Sequence, residues 1–350
     1  MSDPISAVTA IADPGMWGLF AEASKPLTDS ASDTITDVGM WGIPLAVFAG
    51  AIRVGTPFIY VSLGECITEK SGRVNLGLEG TLVMGAMTGF GISYYSASRG
   101  CPEGLAPWLG VLAAGVVGLL MGALHAVICN RPRVNNVAVG IAMMIFGIGL
   151  AVYLGTPLVK PKAPRLPSLE FGSWSNIEPV RTALRVNALF IVGVILAPLL
   201  AWMMRNTRMG LMLRLAGESE EAAAAMGYSV ARIRLLATAI GGFFAGIGGS
   251  YLSLYYPGNW NVGISNGQGL MAVALVIFAR WNPIYCLLAS MLFGGVGSIG
   301  LALQGQNLTT AAANYLWNTA PYVLTLGIMI LTSSRARAMV GAPMELSRVR

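Results

Sequence analysis

Long apolar runs separated by short polar or basic gaps are the main pattern along this chain. A membrane helix needs about 20 mainly apolar residues. The segments that meet or approach this length are roughly 43–68, 75–97, 105–129, 135–158, 187–204, 233–256, 267–282, 284–303 and 319–333. The first is unusual because Arg53 and Glu65 lie inside it. The pattern predicts an all-α polytopic integral membrane protein with about nine transmembrane helices, within a range of about eight to ten.

Composition supports a membrane protein and argues against a soluble one. The 350 residues are 55% apolar and only 11% charged, and 44 are glycine, which is far from the composition of a soluble domain. The formal charge of +6 suggests nucleic acid at first sight. However, the basic residues occupy the short gaps between apolar runs, where the positive-inside rule places them. We therefore expect lipid around the chain and no nucleic acid partner.

Cysteine and histidine usage gives no sign of a metal site. Four cysteines lie far apart in or beside apolar runs, without a CxxC pair, so we expect them in the core. They are Cys66, Cys101, Cys129 and Cys286. The single histidine, His125, has no Cys, Asp or second His near it in the sequence. We expect it to make a hydrogen-bonded contact between helices, and we predict no metal ion.

The distribution of basic residues predicts the orientation. No charge occurs between Leu301 and Ser334, whereas four arginines crowd the tail, so we expect the C-terminus to be cytoplasmic. Counting back through nine spans places the N-terminus outside and 205–232 inside, in agreement with the five arginines of 205–234. The connection 159–186 conflicts with the rule, because it is basic yet falls outside. Residues 1–40 carry six acids against one lysine and lack the basic start and apolar core of a signal peptide.

The cytoplasmic connection 205–232 contains the signals of a short helix. Ser219 can cap its start, Glu220 and Glu221 suit the positive end of its dipole, and Gly227 can end it. Four alanines at 222–225 lie between these signals. One interpretation is a solvated connector. The other is a docking knob, because small side chains let the groove of another protein approach closely.

Two blocks of this sequence resemble permease subunits of ATP-binding-cassette (ABC) importers of the branched-chain amino acid and ribose type. The segment 217-GESEEAAAAMGYSVARIRLLATAIGGFFAGIGGSYLS-253 is similar to their cytoplasmic loop and the glycine-rich helix that follows. The segment 64-GECITEKSGRVNLGLEGTLVMGAMTGF-90 resembles the nucleoside-transport subgroup, with 75-NLGLEG-80 its most specific part. The resemblance implies a type II ABC importer permease fold. The chain then divides into an acidic N-terminal extension (1–40), a permease domain (41–334) with a coupling loop (205–232), and a basic cytoplasmic tail (335–350).

In that family the helix before the "MG" dipeptide is the coupling helix, which sits in a cleft of the ATPase. The resemblance assigns this role to Glu218, Glu220, Glu221, Ala222, Ala223, Ala224, Ala225, Met226 and Gly227. It implies a transmembrane subunit, in the bacterial cytoplasmic (inner) membrane, that translocates a nucleoside or similar neutral solute. The implied partners are ABC ATPase subunits, a second related permease that completes a heterodimer, and an extracytoplasmic solute-binding protein.

The chain has no GxxxxGK[ST] motif, so we expect ATP and Mg²⁺ to bind the partner ATPase, and no cofactor or catalytic residue in this chain. Within the same family, a sugar or a branched-chain amino acid is an alternative solute. A secondary transporter or channel is an alternative class, although the spans lack a conspicuous Asp/Glu/His relay. A membrane-embedded enzyme is disfavoured because no nucleophile and base are paired.

Polar groups within or beside the spans are candidates for the solute pathway. Charged residues crowd the boundary of the first two spans, namely Glu65, Glu69, Lys70, Arg73 and Glu79. They predict either a salt-bridged network or, for Asn75 and Glu79, part of a gate or pathway lining. The outer stretches 255-YYPGNWNVGISNGQG-269 and 304-QGQNLTTAAANYLWN-318 are uncharged and rich in amides and aromatic rings. They fit an aromatic belt, or a contact of Asn266 and Gln268 with a ring-bearing solute.

Glycines recur four residues apart within several spans. The pairs are Gly85/Gly89, Gly118/Gly122 and Gly242/Gly246. This spacing lets helix backbones touch in lipid, so we expect these pairs at helix–helix contacts. The run 294-GGVGSIG-300 predicts the same packing or, alternatively, an interrupted helix that lines a cavity.

Overall fold

A computed structural model describes residues 42–172, 174, 178–304, 317, 319–332 and 343–347 of the chain. The predicted extension 1–40, the connection 305–316 and most of the tail 335–350 lie outside the described residues. The described part is mostly helical. Its helices are α1 (Gly42–Lys70), α2 (Leu78–Ser98), α3 (Ala106–Cys129), α4 (Asn136–Gly155), α5 (Glu178–Ala183), α6 (Ala188–Asn206), α7 (Arg208–Glu218), α8 (Glu220–Ala225), α9 (Val230–Leu254), α10 (Gln268–Phe278), α11 (Pro283–Gln304), α12 (Ala320–Thr332) and α13 (Met344–Ser347).

Each predicted apolar segment overlaps one helix, and these helices are α1–α4, α6 and α9–α12. Among the described residues, six stretches are long and apolar enough to cross a membrane. They are Ile43–Lys70, Ala106–Cys129, Asn136–Leu158, Ala188–Asn206, Val230–Leu254 and Pro283–Gly300. Helix α10 is apolar but has only 11 residues, too few to span the hydrocarbon core alone. The structure is that of a helical, polytopic membrane protein.

Helix α9 is the centre of the bundle, because it packs along α1, α2 and α3, while α11 packs along α1. Glycines make these contacts close. A β-carbon on Gly118 would lie 2.1 Å from the carbonyl oxygen of Gly242, and one on Gly85 would lie 2.5 Å from that of Gly246. No side chain fits at such distances, so the helix backbones themselves are in contact. The packing role predicted for these glycines is confirmed.

Two non-helical stretches reach into the bundle. The first is 71–77, which joins α1 to α2. Its Arg73 contacts Asn136, the first residue of α4, whereas a β-carbon on Gly80, in the first turn of α2, would lie 2.7 Å from the carbonyl oxygen of Met144. Helix α2 therefore begins about two turns along α4. The other stretch is 255–267, which leads from the end of α9 to the short helix α10. Irregular backbone at such a depth is found where protein buries it or where it lines a cavity.

The basic connection between α4 and α6 contains structure that the sequence did not predict. A short 3₁₀ turn (Thr156–Leu158) is followed by a two-stranded antiparallel hairpin of β1 (Ser168–Glu170) and β2 (Arg185–Asn187), with α5 between the strands. Arg185 donates hydrogen bonds to the Glu170 carboxylate across the hairpin. These bonds and the positive charge of Arg185 lower the pKa of Glu170.

Candidate functional site

A cavity of about 490 Å³ lies between α1, α10, α11 and α12. This volume is within the range of roughly 300–1,000 Å³ that is typical of small-molecule sites. Its described lining residues are Val54, Phe58, Asn266, Gln268, Met271, Phe293, Gly297, Thr319, Pro321 and Tyr322. Two of the four candidate pathway residues, Asn266 and Gln268, are therefore in the cavity wall. The other two, Asn75 and Glu79, are not among these lining residues.

The cavity wall combines aromatic rings with amide groups. The rings of Phe58 and Phe293 meet edge to face, with centroids 6.3 Å apart. The side-chain oxygen of Gln268 is buried and is an acceptor without a hydrogen-bond partner among the described residues. None of the described lining residues carries a charge. This arrangement suits a neutral solute with an apolar ring and hydrogen-bonding groups.

Sequence reasoning missed the aromatic residues of the wall. Val54 and Phe58 are one turn apart on α1, and Phe293 and Gly297 are one turn apart on α11. In the sequence they are ordinary members of apolar runs, and only their four-residue spacing marks a shared face. Helix α11 is continuous through 294–300, so the alternative of an interrupted helix is wrong, although Gly297 does line the cavity.

The turn before α10 presents the two amides to the cavity. Asn266 and Gly267 both have positive φ angles, +43° and +75°, and α10 begins at Gln268. The Tyr322 hydroxyl donates a hydrogen bond of 2.6 Å to the carbonyl oxygen of Asn266. A tight left-handed turn and a bond from α12 thus fix the position of the Asn266 backbone.

Glu79 lies behind this turn, and its carboxylate accepts hydrogen bonds from four groups of the 265–270 segment. The donors are the Ser265 hydroxyl and the amide N–H groups of Gly267 (3.0 Å), Gly269 (2.6 Å) and Leu270 (3.3 Å). The side chain is almost fully buried, with 5% of the residue exposed. Glu79 thus touches the segment that carries Asn266 and Gln268 without itself lining the cavity.

The neighbouring acids of α1 are also held by hydrogen bonds. Glu65 accepts one of 2.8 Å from the Asn75 backbone amide, and Glu69 accepts one from the Trp281 indole. The Asn75 side chain accepts one of 2.9 Å from the Gly77 amide. The second oxygen of Glu65, the second oxygen of Glu69 and the Asn75 amide nitrogen are buried, and none of them makes a hydrogen bond of normal geometry within the described part of the chain. Within the described residues, uncharged donors therefore take the place of the predicted ion pairs at Glu65, Glu69 and Glu79.

Arg73 connects this region to the corner between α3 and α4. It donates to the carbonyl oxygen of Cys129 and to the side-chain oxygens of Asn130 (2.9 Å) and Asn136 (2.8 Å). Burial and the nearby guanidinium of Arg234 lower its pKa. The bonds to neutral oxygens compensate part of the cost of burying this charge.

The single histidine and the cysteines behave as core residues. His125 is buried, and its Nε2 lies 3.5 Å from the sulfur of Cys129 in the same helix. One hydrogen-bonding contact of His125 is therefore within its own helix. Cys66, Cys129 and Cys286 are buried, and Cys101 is partly exposed. Among the described residues, no group of three His, Cys, Asp or Glu side chains is placed to hold a metal ion.

The short helix predicted in the connection 205–232 is confirmed as α8. The Ser219 hydroxyl accepts a hydrogen bond of 3.2 Å from the Ala222 amide, and Gly227 ends the helix with a φ of +82°. Ala223 is buried in a small cluster with Ala216 and Val230. The other residues of the assigned set are exposed, and they are Glu218, Glu220, Glu221, Ala222, Ala224, Ala225, Met226 and Gly227.

Arg234 fixes α8 to the bundle. Its guanidinium contacts the Glu220 carboxylate at 3.2 Å and donates to the carbonyl oxygens of Ser71 (3.2 Å) and Ala216 (3.3 Å). One buried side chain of α9 therefore joins α8, the end of α7 and the connection after α1. Sequence reasoning used Arg234 as a topology marker and did not identify these three partners.

Comparison with known proteins gives a family and several relatives. The family described as "branched-chain amino acid transport system / permease component" matches residues 47–333. The nucleoside ABC transporter permease protein NupC of Lactococcus lactis subsp. cremoris is 30% identical over 302 residues, 83% of this chain and 93% of NupC. The putative glucose ABC transporter permease protein TsgC13 of Haloferax volcanii is 29% identical over 299 residues, 79% of this chain and 88% of TsgC13. The guanosine ABC transporter permease protein NupQ of Bacillus subtilis is 29% identical over 299 residues, 81% of this chain and 89% of NupQ.

Proposed function

Because this chain belongs to the branched-chain amino acid transport system / permease component family and is an ABC transporter permease, we propose that it carries a nucleoside or a similar neutral solute inward. The observation that carries the proposal is the uncharged cavity, which combines aromatic rings with the amides of Asn266 and Gln268. Two of the relatives are named as nucleoside and guanosine permeases, which supports this solute class.

The chemistry of the cavity favours a nucleoside over the other solutes of the family. The rings of Phe58, Phe293 and Tyr322 offer faces and edges to a planar base. The unpartnered Gln268 oxygen can accept a hydrogen bond from a base N–H or a ribose hydroxyl. A branched-chain amino acid would bring two charges into a wall whose described residues are all neutral, which is costly. A sugar, the solute named for TsgC13, is the second candidate, because it uses the amides but lacks a planar ring.

The proposal includes nine spans, with the N-terminus outside and the C-terminus in the cytoplasm. This orientation puts α8 on the cytoplasmic side, where a partner ATPase can contact its exposed alanines. It puts the β1–β2 hairpin on the outer side, where a solute-binding protein delivers the solute. The chain would then be a multi-pass protein of the bacterial cytoplasmic membrane, and the ATPase partner would bind ATP and Mg²⁺.

The proposed assembly contains a second permease. One chain offers a single coupling helix, α8, whereas an ATPase dimer that closes on ATP has two grooves. We expect the second helix to come from a related permease, which makes the pair a heterodimer. The closing ATPases would then move the two bundles against each other around the cavity.

Uptake in proteoliposomes tests the proposed function. The complex of this chain, its permease partner, the ATPases and the binding protein is reconstituted with ATP inside, and the accumulation of tritiated uridine is measured. We expect ATP-dependent uptake that excess unlabelled guanosine inhibits and that excess glucose or leucine leaves unchanged. Uptake of labelled glucose or leucine without uptake of any nucleoside would contradict the proposal.

A further inference from the structure

We infer that Glu79 is a positioning residue: it holds the 265–270 turn so that Asn266 and Gln268 face the solute. This inference rests on the proposed passage of solute through the cavity. It concerns a residue outside the described cavity wall, and it gives the NLGLEG segment a specific task. It requires that Glu79 acts through the turn and not through contact with the solute.

The Glu79 carboxylate supplies hydrogen-bond acceptors that the first turn of α10 lacks. The first amide N–H groups of any helix have no partner within the helix, and the aligned peptide dipoles give that end a partial positive charge. In α10, the amides of Gly269 and Leu270 are such groups, and Glu79 accepts from both. The carboxylate therefore both satisfies the orphan donors and compensates the helix dipole in a buried place.

Glu79 also stabilises backbone conformations that ordinary residues rarely adopt. Asn266 and Gly267 are both left-handed, a conformation that glycine adopts freely and that other residues, asparagine more often than most, adopt infrequently. The Gly267 amide and the Ser265 hydroxyl donate to the same oxygen of Glu79, one from each side of Asn266. Two bonds to one charged acceptor thus offset the strain of the turn that orients the Asn266 side chain.

The first turn of α2 and the first turn of α10 pack so closely that no residue larger than glycine fits at position 269. A β-carbon at Gly269 would lie 2.6 Å from the Cα of Glu79. The backbone of α10 therefore rests directly on the first turn of α2, where Glu79 is the second residue. The glycine of the NGQG sequence and the glutamate of NLGLEG consequently form one contact, although 190 positions separate them.

The position of the turn decides the geometry of the cavity. Gln268 is the first residue of α10, and the amide of the next residue is bound to Glu79. On its other side the turn is held by the Tyr322 hydroxyl. Release of Glu79 would leave Tyr322 as the remaining side-chain bond to the turn among the described residues, and both amides would lose their fixed orientation.

A double-mutant cycle tests this inference in the reconstituted complex. The variants are Glu79→Gln, Gln268→Ala and the pair, with Glu103→Gln, an exposed acid, as the matched control. The readout is the number of uridine molecules transported per ATP hydrolysed. A purely structural defect that lowers the amount of active complex reduces both rates and leaves this ratio unchanged. In Glu79→Gln the side-chain N–H₂ group faces backbone N–H groups and cannot accept their hydrogen bonds. We therefore expect the number of uridine molecules transported per ATP to fall about tenfold, which corresponds to the loss of one hydrogen bond to a charged acceptor.

We expect Gln268→Ala to lower the same ratio and the double variant to be no worse than the more severe single variant, because both changes act on one turn. Additive effects, or an unchanged ratio in Glu79→Gln, would overturn the inference. Should Glu79→Gln fail to assemble, Ser265→Ala removes one donor only and must show the same non-additivity with Gln268→Ala. If the wild type carries no uridine, the proposed solute is wrong, and the cycle is measured with labelled glucose instead.

Discussion

At the scale of single residues, buried polar side chains connect segments that are far apart in the sequence. Arg234 binds the Glu220 carboxylate and two backbone carbonyl oxygens from different segments. Glu79 of α2 accepts hydrogen bonds from the turn before α10 and from the first residues of that helix. Movement of one element is therefore transmitted to another through Arg234 and through Glu79.

Replacing Arg234 with glutamine should uncouple hydrolysis from transport. The shorter, neutral side chain leaves the carbonyl oxygens of Ser71 and Ala216 without their donor, at a cost of about 1–3 kcal/mol in the free energy of unfolding. We expect the complex to assemble and hydrolyse ATP while uptake falls, because α8 is no longer fixed to the bundle. The control is Arg232→Gln, an exposed arginine of the same helix. Equal loss of uptake in both variants would argue against a specific role of Arg234.

Single residues of the candidate site were predicted only where polarity made them conspicuous. Asn266 and Gln268 stand out as amides in an uncharged outer stretch, and both line the cavity. Phe58 and Phe293 do not stand out, because an apolar side chain in a membrane helix faces lipid, another helix or a cavity with the same sequence signal. The partners of Glu79 and Arg234 were not predictable either, since the bonds join residues that only the folded bundle brings together.

At the scale of elements, sequence periodicity was a good guide to helices and a poor one to irregular structure. Every predicted apolar segment overlaps a helix, and the capping signals of α8 were correct. The helix α7 before it and the β1–β2 hairpin were not predicted. Helix α7 has 11 residues, two of them arginines, so it lacks the long apolar run on which the prediction of helices relied. Each hairpin strand has three residues, which is too few to show a period.

The glycine contacts between α3 and α9 should be required for a stable bundle. Gly118→Val places a branched side chain where the carbonyl oxygen of Gly242 would be 2.1 Å from the β-carbon, so the helices must separate. We expect a loss of at least about 1–3 kcal/mol in the free energy of unfolding, the usual cost of overpacking. Thermal unfolding in detergent measures it. Gly149→Val on α4 is the control, because nothing lies within 4 Å of its β-carbon position, and its unfolding midpoint should stay that of the wild type.

The exposed side of α8 should be required for binding of the ATPase. Ala224 is exposed while its neighbour Ala223 anchors the helix in the core. Ala224→Arg adds a long charged side chain to the exposed side without disturbing the anchor, so we expect normal membrane insertion but loss of the ATPase during purification. Ala224→Ser, a small and neutral change, should retain it. Retention of a fully active ATPase by Ala224→Arg would show that α8 is not the coupling helix.

At the scale of the whole molecule, a chain of contacts connects α8 to the cavity. Helix α8 is bound to Arg234, Arg234 to the connection after α1, and that connection leads to Glu79 and the turn at the cavity. Closure of an ATPase dimer on α8 would reach the cavity through these contacts. We propose that the solute passes through this cavity.

A cysteine in the cavity wall tests that claim most directly. Gly297 lines the cavity, and a β-carbon there would meet its nearest neighbours at ordinary distances of 3.6 and 3.7 Å, so Gly297→Cys should fold. In a Cys101→Ser background, which removes the partly exposed native thiol, a membrane-impermeant thiol reagent is applied from outside and uridine uptake is measured. Glu103→Cys, on an exposed connection, is the control that is labelled without blocking the cavity. We predict that labelling stops uptake only in Gly297→Cys and that uridine-loaded binding protein with ATP slows the labelling; complete labelling of Gly297→Cys with undiminished uptake would contradict the account.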